Sequence, residues 1–235
     1  MPVSTSCTFK VGTASVSRLY LGATLVWQPA TTGGGETFGG ANGSPWPSPW
    51  TGASGTVDQL DGSGRIATGA GVYDQAFIRR PAPDDAELLF KWKSTAGLSS
   101  VDVAIRCAGP NYGDNPKWAF RMLADKIWLT GASGLLDEAT VTHSVGTWYW
   151  ARIRWQGTTV QGRTWQDGTT EPGSWLVEAT DASSPTAGTL IFRVENGDST
   201  ADVALFDDIE ITDLGGSSIT ARVDAGRVDH DTIAA

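Results

Sequence analysis

The chain has 235 residues, a formal net charge of −9 and only 18% charged residues. That length suits one all-β domain with appendages or two small domains. It is enough to bury about 70% of the unfolded surface without a disulfide or a metal. The acidic balance argues against nucleic-acid binding, which requires a basic footprint. No apolar run approaches the roughly 18 residues of a membrane span, so no membrane insertion is expected. The start, MPVSTSCTFK, lacks a basic stretch followed by an apolar run and does not read as a secretory signal.

Residues 1–30 read as a β-rich head, with strands expected over 8–11, 15–20 and 25–27 and turns at Gly12-Thr13 and Gly22-Ala23. Below about 40 residues a domain needs outside help to fold. Val16, Leu19, Tyr20, Leu21, Leu25, Val26 and Trp27 must therefore pack on the rest of this chain or on another protein. Residues 31–36, rich in glycine and threonine, read as a flexible linker.

The body runs over 37–214 and alternates apolar and polar residues with period two, the mark of strands with one face in a core. Leu88, Phe90 and Trp92 alternate with Leu89, Lys91 and Lys93. Val101, Val103, Ile105 and Cys107 alternate with Asp102, Ala104 and Arg106. Residues 118–124 and 126–130 read as a hairpin turning near Asp125. Leu190, Phe192 and Val194 share a face, as Val203, Leu205, Ile209 and Ile211 do in the last strand. Short strands with glycine-rich turns imply a sandwich or jelly roll. Residues 215–235 have too little apolar content for a domain and read as an extended arm or a frayed terminus.

The richest segment is GTWYWARIRWQGTTVQGRTWQDGTTEPGSW, residues 146–175. It reads as two strands joined by a Gly-Thr-Thr turn. Tyr149, Ala151, Ile153 and Trp155 face a core; Trp148, Trp150, Arg152 and Arg154 face away, joined by Gln161, Arg163 and Trp165 if the register holds. Tryptophan and arginine are the residues most enriched at binding hot spots. Sugars stack their C–H faces on indoles, and arginines hold anionic groups through paired hydrogen bonds. Three readings stand open for this face: a glycan site, a contact between subunits, or arginine–indole stacking that merely covers a sheet. With Arg106, Arg121 and Arg193 also off the core in expected strands, the acidic total conceals an expected cationic sheet face.

The loop over 109–117 carries Asn111, Tyr112, Asp114 and Asn115, a mixture that suits a carbohydrate site and equally a turn-rich connection. Trp46 and Trp50, set among prolines, are expected to pack on the sandwich edge. Cys7 and Cys107 are the only cysteines; Cys107 is expected to be a buried free thiol rather than half of a disulfide. No zinc spacing, no Ser/His/Asp or Cys/His arrangement and no phosphate loop is present, so neither cofactor nor metal is expected. The acidic clusters at Asp84-Asp85 with Glu87, and at Asp207-Asp208 with Glu210, supply hard oxygens but too few for a Ca²⁺ site by themselves.

Three blocks resemble a known family: ANGSPWPSPW at 41–50, the 146–175 segment with its W-x-D-G and E-P-x-x-W, and LFDDIEI at 205–211. They are similar to the concanavalin A-like (LamG-like) jelly rolls of minor tail proteins from phages of actinobacteria. VGTASVSRLYLGATLVW, at 11–27, is similar to short N-terminal modules of such virion proteins. The resemblance implies an all-β protein: a small head that anchors on other virion proteins, followed by a concanavalin A-like jelly-roll β-sandwich. It implies a virion location, at the tail rather than on the capsid, many copies or a homo-oligomer, and a host cell-wall glycan as candidate ligand. Jelly-roll glucanases of similar fold carry E-x-D-x-x-E on one strand, which this chain lacks, so an enzyme is not expected. A ligand-free decoration or tail-stabilising protein and, more remotely, a wall depolymerase are the alternatives.

Overall fold

A computed structural model describes Glu36, residues 38–71, 73–97, 99–107, 118–181, 188–198 and 200–214, and the strand backbone within residues 10–27. The chain divides into two units, the larger being Ala30–Gly215. In the smaller unit β1 (Lys10–Val11) pairs with β2 (Ala14–Ser15), and β3 (Leu19–Leu21) pairs with β4 (Thr24–Trp27), both antiparallel. The stretch expected as one strand over 15–20 thus contributes to two strands with different partners. Val16 lies outside the described residues, as do the side chains of Leu19, Tyr20, Leu21, Leu25, Val26 and Trp27.

The larger unit contains β5 (Thr51–Ser54), β6 (Thr56–Leu60), β7 (Ser63–Ala67), β8 (Gln75–Ala82), β9 (Ala86–Ala96), β10 (Ser100–Cys107) and β11 (Trp118–Met122). They are followed by β12 (Lys126–Gly131), β13 (Gly134–Thr140), β14 (Tyr149–Gln156), β15 (Thr159–Gln166), β16 (Val177–Thr180), β17 (Gly188–Glu195) and β18 (Val203–Asp213). They form two seven-stranded antiparallel sheets, ordered β13-β12-β11-β10-β17-β8-β5 and β16-β15-β14-β9-β18-β7-β6. We call these the first and second sheets. Sequence neighbours such as β9 and β10 fall in different sheets, which is the crossing pattern of a jelly roll.

Period-two patterning explains the packing. Along β9, Ala86, Leu88, Phe90 and Trp92 are buried while the residues between them are half-exposed. β14 repeats this with Tyr149, Ala151, Ile153 and Trp155 inside. Across the sandwich, Phe90 meets Phe192 edge-on with ring centroids 4.9 Å apart, and Phe192 meets Phe206 at 5.0 Å. Gly162 on β15 has no side chain because Phe120 of the opposing sheet occupies the space: a Cβ there would stand 2.2 Å from the Phe120 ring.

Trp46 and Trp50 do not line the sandwich edge as expected. They are buried in the core, 4% and 6% exposed, with Trp46 4.9 Å from Phe38 and Trp50 5.2 Å from Phe192. The Trp46 indole N–H is satisfied by the Asp58 carbonyl at 2.8 Å, which lets so polar a ring sit between the sheets.

Two further expectations are corrected by β-bulges. Cys107 does not share a face with Val101, Val103 and Ile105. Between Ala104 and Cys107 the register of β10 against β17 slips, with Arg106 at φ +53°. A bulge inserts one residue and inverts the faces beyond it. Cys107, which is buried, therefore joins Ala104, Ile191 and Phe77 in a small second cluster. Likewise Ala204 and Phe206, not Val203 and Leu205, face the core from β18. A bulge at Asp208 (φ +48°) then brings Ile209 back inside.

Candidate functional site

The outward face of β14 and β15 follows the expected register: Trp150 stands opposite Trp165, Arg152 opposite Arg163, and Arg154 opposite Gln161. β9 continues the rows, with Lys91 beside Trp150, Leu89 beside Arg152 and Glu87 beside Arg154. The face divides into two halves of different character.

In the arginine half the cations are already engaged. Arg152 bonds Glu171 Oε1 at 2.7 Å and also contacts Glu87. Arg163 pairs with the same Glu171 oxygen at 2.5 Å and donates to the Pro172 carbonyl at 2.8 Å. The Trp175 ring lies 4.4 Å from the Arg163 guanidinium, a cation–π contact. The E-P-x-x-W motif therefore forms a strap that folds back over β14 and β15, with Glu171 as its central anion. Burial would raise the Glu171 pKa, but hydrogen bonds and charge from Arg152, and then from Arg163, hold the carboxyl below its usual range. Arg154 reaches only Gln156 among the described residues, at 3.3 Å.

The tryptophan half carries no strap and mixes half-exposed indole rings with charges of both signs. Trp150 and Trp165 stack with centroids 6.3 Å apart and planes within 15°. Trp150 donates its indole N–H to Asp167 Oδ1 at 2.8 Å, and Lys91 reaches Asp167 Oδ2 at 3.1 Å and Asp208 Oδ2 at 3.8 Å. Lys91 also lies 5.1 Å from the Trp150 ring, and Lys93 lies 4.6 Å from the Trp148 ring. The W-x-D-G motif thus supplies both a stacking ring (Trp165) and the carboxylate that orients its neighbour. Burial pushes the Asp207 carboxyl up, and the Asp208 charge adds to that, while Lys91 works against it.

The expectation of a cationic face does not survive. Five of the six arginines meet carboxylates, and Arg106 lies on neither outer face but reaches the Gly157 carbonyl in the β14–β15 turn of the opposite sheet. On the first sheet Arg121 and Arg193 share the fully buried Asp102 and also pair with Glu195, and Arg106 pairs with Asp85. Sequence pattern could place each arginine off the core but not find acids lying up to 91 positions away. Lys91, Asp167 and Asp208 were missed for the same reason: only the strand order β15-β14-β9-β18 gathers them around Trp150. Asn111, Tyr112 and Asp114 lie outside the described residues, as does Asn115.

The acidic pairs do not assemble a metal centre. Among the described residues no group of three or more His, Cys, Asp or Glu side chains is placed to hold an ion. Asp85 and Glu87 serve Arg106 and Arg152 instead.

No family model and no curated protein matches the chain in sequence. Solved structures do match in fold. The exoplasmic/lumenal domain of VIP36, in a Ca²⁺/Man3GlcNAc-bound form, aligns with a TM-score of 0.56 at 12% identity, covering 75% of this chain and 90% of that one. Lectin II from Ulex europaeus aligns at 0.55 with 10% identity, covering 75% and 97%. The carbohydrate-binding module CBM66 from Bacillus subtilis aligns at 0.50 with 16% identity, covering 69% and 94%. The larger unit has the concanavalin A-like jelly-roll fold that these structures share.

Proposed function

We propose that this chain is a non-enzymatic virion protein, carried at the phage tail, whose jelly roll binds a host cell-surface glycan on the tryptophan half of the β14–β15 face. The observation that carries the binding reading is the stacked pair Trp150 and Trp165, held outward and oriented by Asp167 and Lys91. Indole faces with polar groups at their rims suit a pyranose, whose C–H face stacks while its hydroxyls hydrogen-bond. The glycan-bound form of VIP36 and the carbohydrate-binding module, both of this fold, support the reading by analogy. The virion assignment rests on the resemblance of the 11–27, 41–50, 146–175 and 205–211 blocks to phage tail proteins. Weak single-site affinity suffices on a particle, because many copies give avidity.

The test is a glycan-array or cell-wall pulldown with the full chain. Binding is expected, and its loss in Trp148→Ala or Trp150→Ala with unchanged melting supports the site. A folded protein that binds nothing overturns it. For the anchor, a chain lacking residues 1–30 is expected to stay folded and soluble but to be missing from particles. Normal incorporation refutes that role.

The second reading, a decoration or tail-stabilising subunit without a ligand, is favoured by one observation. The strap of Glu171 to Trp175 already occupies the arginine half of the face.

A further inference from the structure

The register across the second sheet places the candidate site's side chains in a line. Trp165 on β15 stands opposite Trp150 on β14, Trp150 opposite Lys91 on β9, and Lys91 opposite Asp207 on β18. Neighbouring strands are about 4.8 Å apart, so this row runs about 14 Å perpendicular to the strands. A sugar stacked on the indoles therefore has polar side chains along the row on one side of it. On the other side, no strand among the described residues pairs beyond Trp165, because β16 pairs only with Thr159–Gly162; the Glu171–Trp175 strap returns there, against Arg163. Nor does Asp207 end the sheet, since β7 follows β18. Among the described residues no strand forms a wall at either end of the row.

The charges on this half do not favour an anion. Lys91 and Lys93 are set against Asp167, Asp207 and Asp208, and Lys91 is shared between two of those carboxylates. Arg152 and Arg163 are committed to Glu171 and Glu87, and Arg154, which reaches only Gln156 among the described residues, lies four residues along β14 from Trp150. Carboxylates flanking an indole accept hydrogen bonds from hydroxyls and repel uronates or phosphates.

Resting on the glycan reading above, we infer that the site takes the interior of a neutral polysaccharide lying across the strands, rather than a chain end or an anionic wall polymer. Several consecutive sugars contact the row, and no single sugar fills it.

Affinity gel electrophoresis of the full chain tests this. The neutral probes are hydroxyethyl cellulose, mixed-linkage glucan, galactomannan and arabinogalactan; the anionic probes are carboxymethyl cellulose and polygalacturonate. Retardation by at least one neutral polymer and by neither anionic one is expected. It should persist at high salt, compete with oligomers far better than with their monosaccharide, and weaken about tenfold in Trp165→Ala. Salt-sensitive binding to the anionic polymers alone, or equal competition by the monosaccharide, overturns this inference and leaves glycan binding standing. Retardation by none of the polymers, with a melting transition showing a folded protein, overturns both.

Discussion

The indole N–H of Trp150 donates to one oxygen of Asp167 at 2.8 Å, while Lys91 holds the other at 3.1 Å. One carboxylate thus fixes the plane of the ring and the position of a cation beside it. Burial would raise its pKa, but the bonds from Lys91 and Trp150 hold it below the usual range. Asp167→Ala should lower glycan affinity several-fold by freeing the ring. Its effect on stability should stay under about 1 kcal/mol, because the Asp167 carboxylate is 37% exposed and screened by solvent. Affinity electrophoresis beside a thermal melt separates the two effects, and equal loss of both would argue against an orienting role.

Trp150→Ala and Trp165→Ala should each reduce binding by about tenfold or more, as expected for aromatic anchors at a hot spot. The double variant should lose less than the sum, because the rings touch. Trp128→Ala, on the outer face of the first sheet beside Arg121 and Lys126, serves as control and should bind normally.

Glu171→Gln removes the anion shared by Arg152 and Arg163, whose side chains are 21% and 15% exposed. Leaving two part-buried guanidinium groups short of a partner should cost about 1–3 kcal/mol. The same linkage sets a pH dependence. The folded pKa of Glu171 lies below its unfolded value, so its contribution is complete above the unfolded pKa. It is lost as pH falls through the folded one. Melting curves across the acid range should show this loss in the parent and not in the Gln variant.

His143 is buried against Trp92 and Tyr149, with ring centroids 4.9 and 4.8 Å away. Its Nδ1 bonds the Leu123 carbonyl at 2.6 Å, and its Nε2 has no partner among the described residues. Burial pushes its pKa down, against the Leu123 bond, so the folded protein keeps it neutral. The unfolded chain binds the proton first, near pH 6.5. Stability should therefore fall as pH drops from about 6.5 toward the lower folded pKa. His143→Gln should remove this slope in a series of melts; an unchanged slope would exclude His143 as its source.

Gly162→Ala places a methyl against the Phe120 ring, well inside contact distance. Both positions are central to the sandwich, so relief requires the sheets to separate. A loss of about 1–3 kcal/mol is expected by chemical denaturation, and Phe120→Leu should recover part of it.

Much of this architecture was legible in the chain, and the reasons are physical. β9 and β14 alternate strictly, so their inward faces and the pairing of Trp150 with Trp165 could be read directly. The bulges at Arg106 and Asp208 could not, because a single inserted residue leaves no mark on composition while inverting every side chain after it. The core role of Trp46 and Trp50 was hidden because their partners Phe192 and Phe206 come from distant parts of the chain. The arginines looked available for the same reason: Glu87, 65 positions from Arg152, comes within its reach only after the sheet forms. What sequence showed as one aromatic, cationic face is a strapped half and an open half.

The bridge between Glu36 and Ile209 also bears on engineering. The Glu36 amide bonds the Ile209 carbonyl at 2.8 Å, and Leu214, five residues further on, closes β18 on the Asp85 carbonyl. The polypeptide therefore arrives at and departs from the jelly roll along one and the same strand, roughly 16 Å apart. Neighbouring points of arrival and departure are what domain insertion requires. Residues 36–214 form a cassette that could be grafted into a surface loop of an unrelated carrier without threading either of its ends through the host.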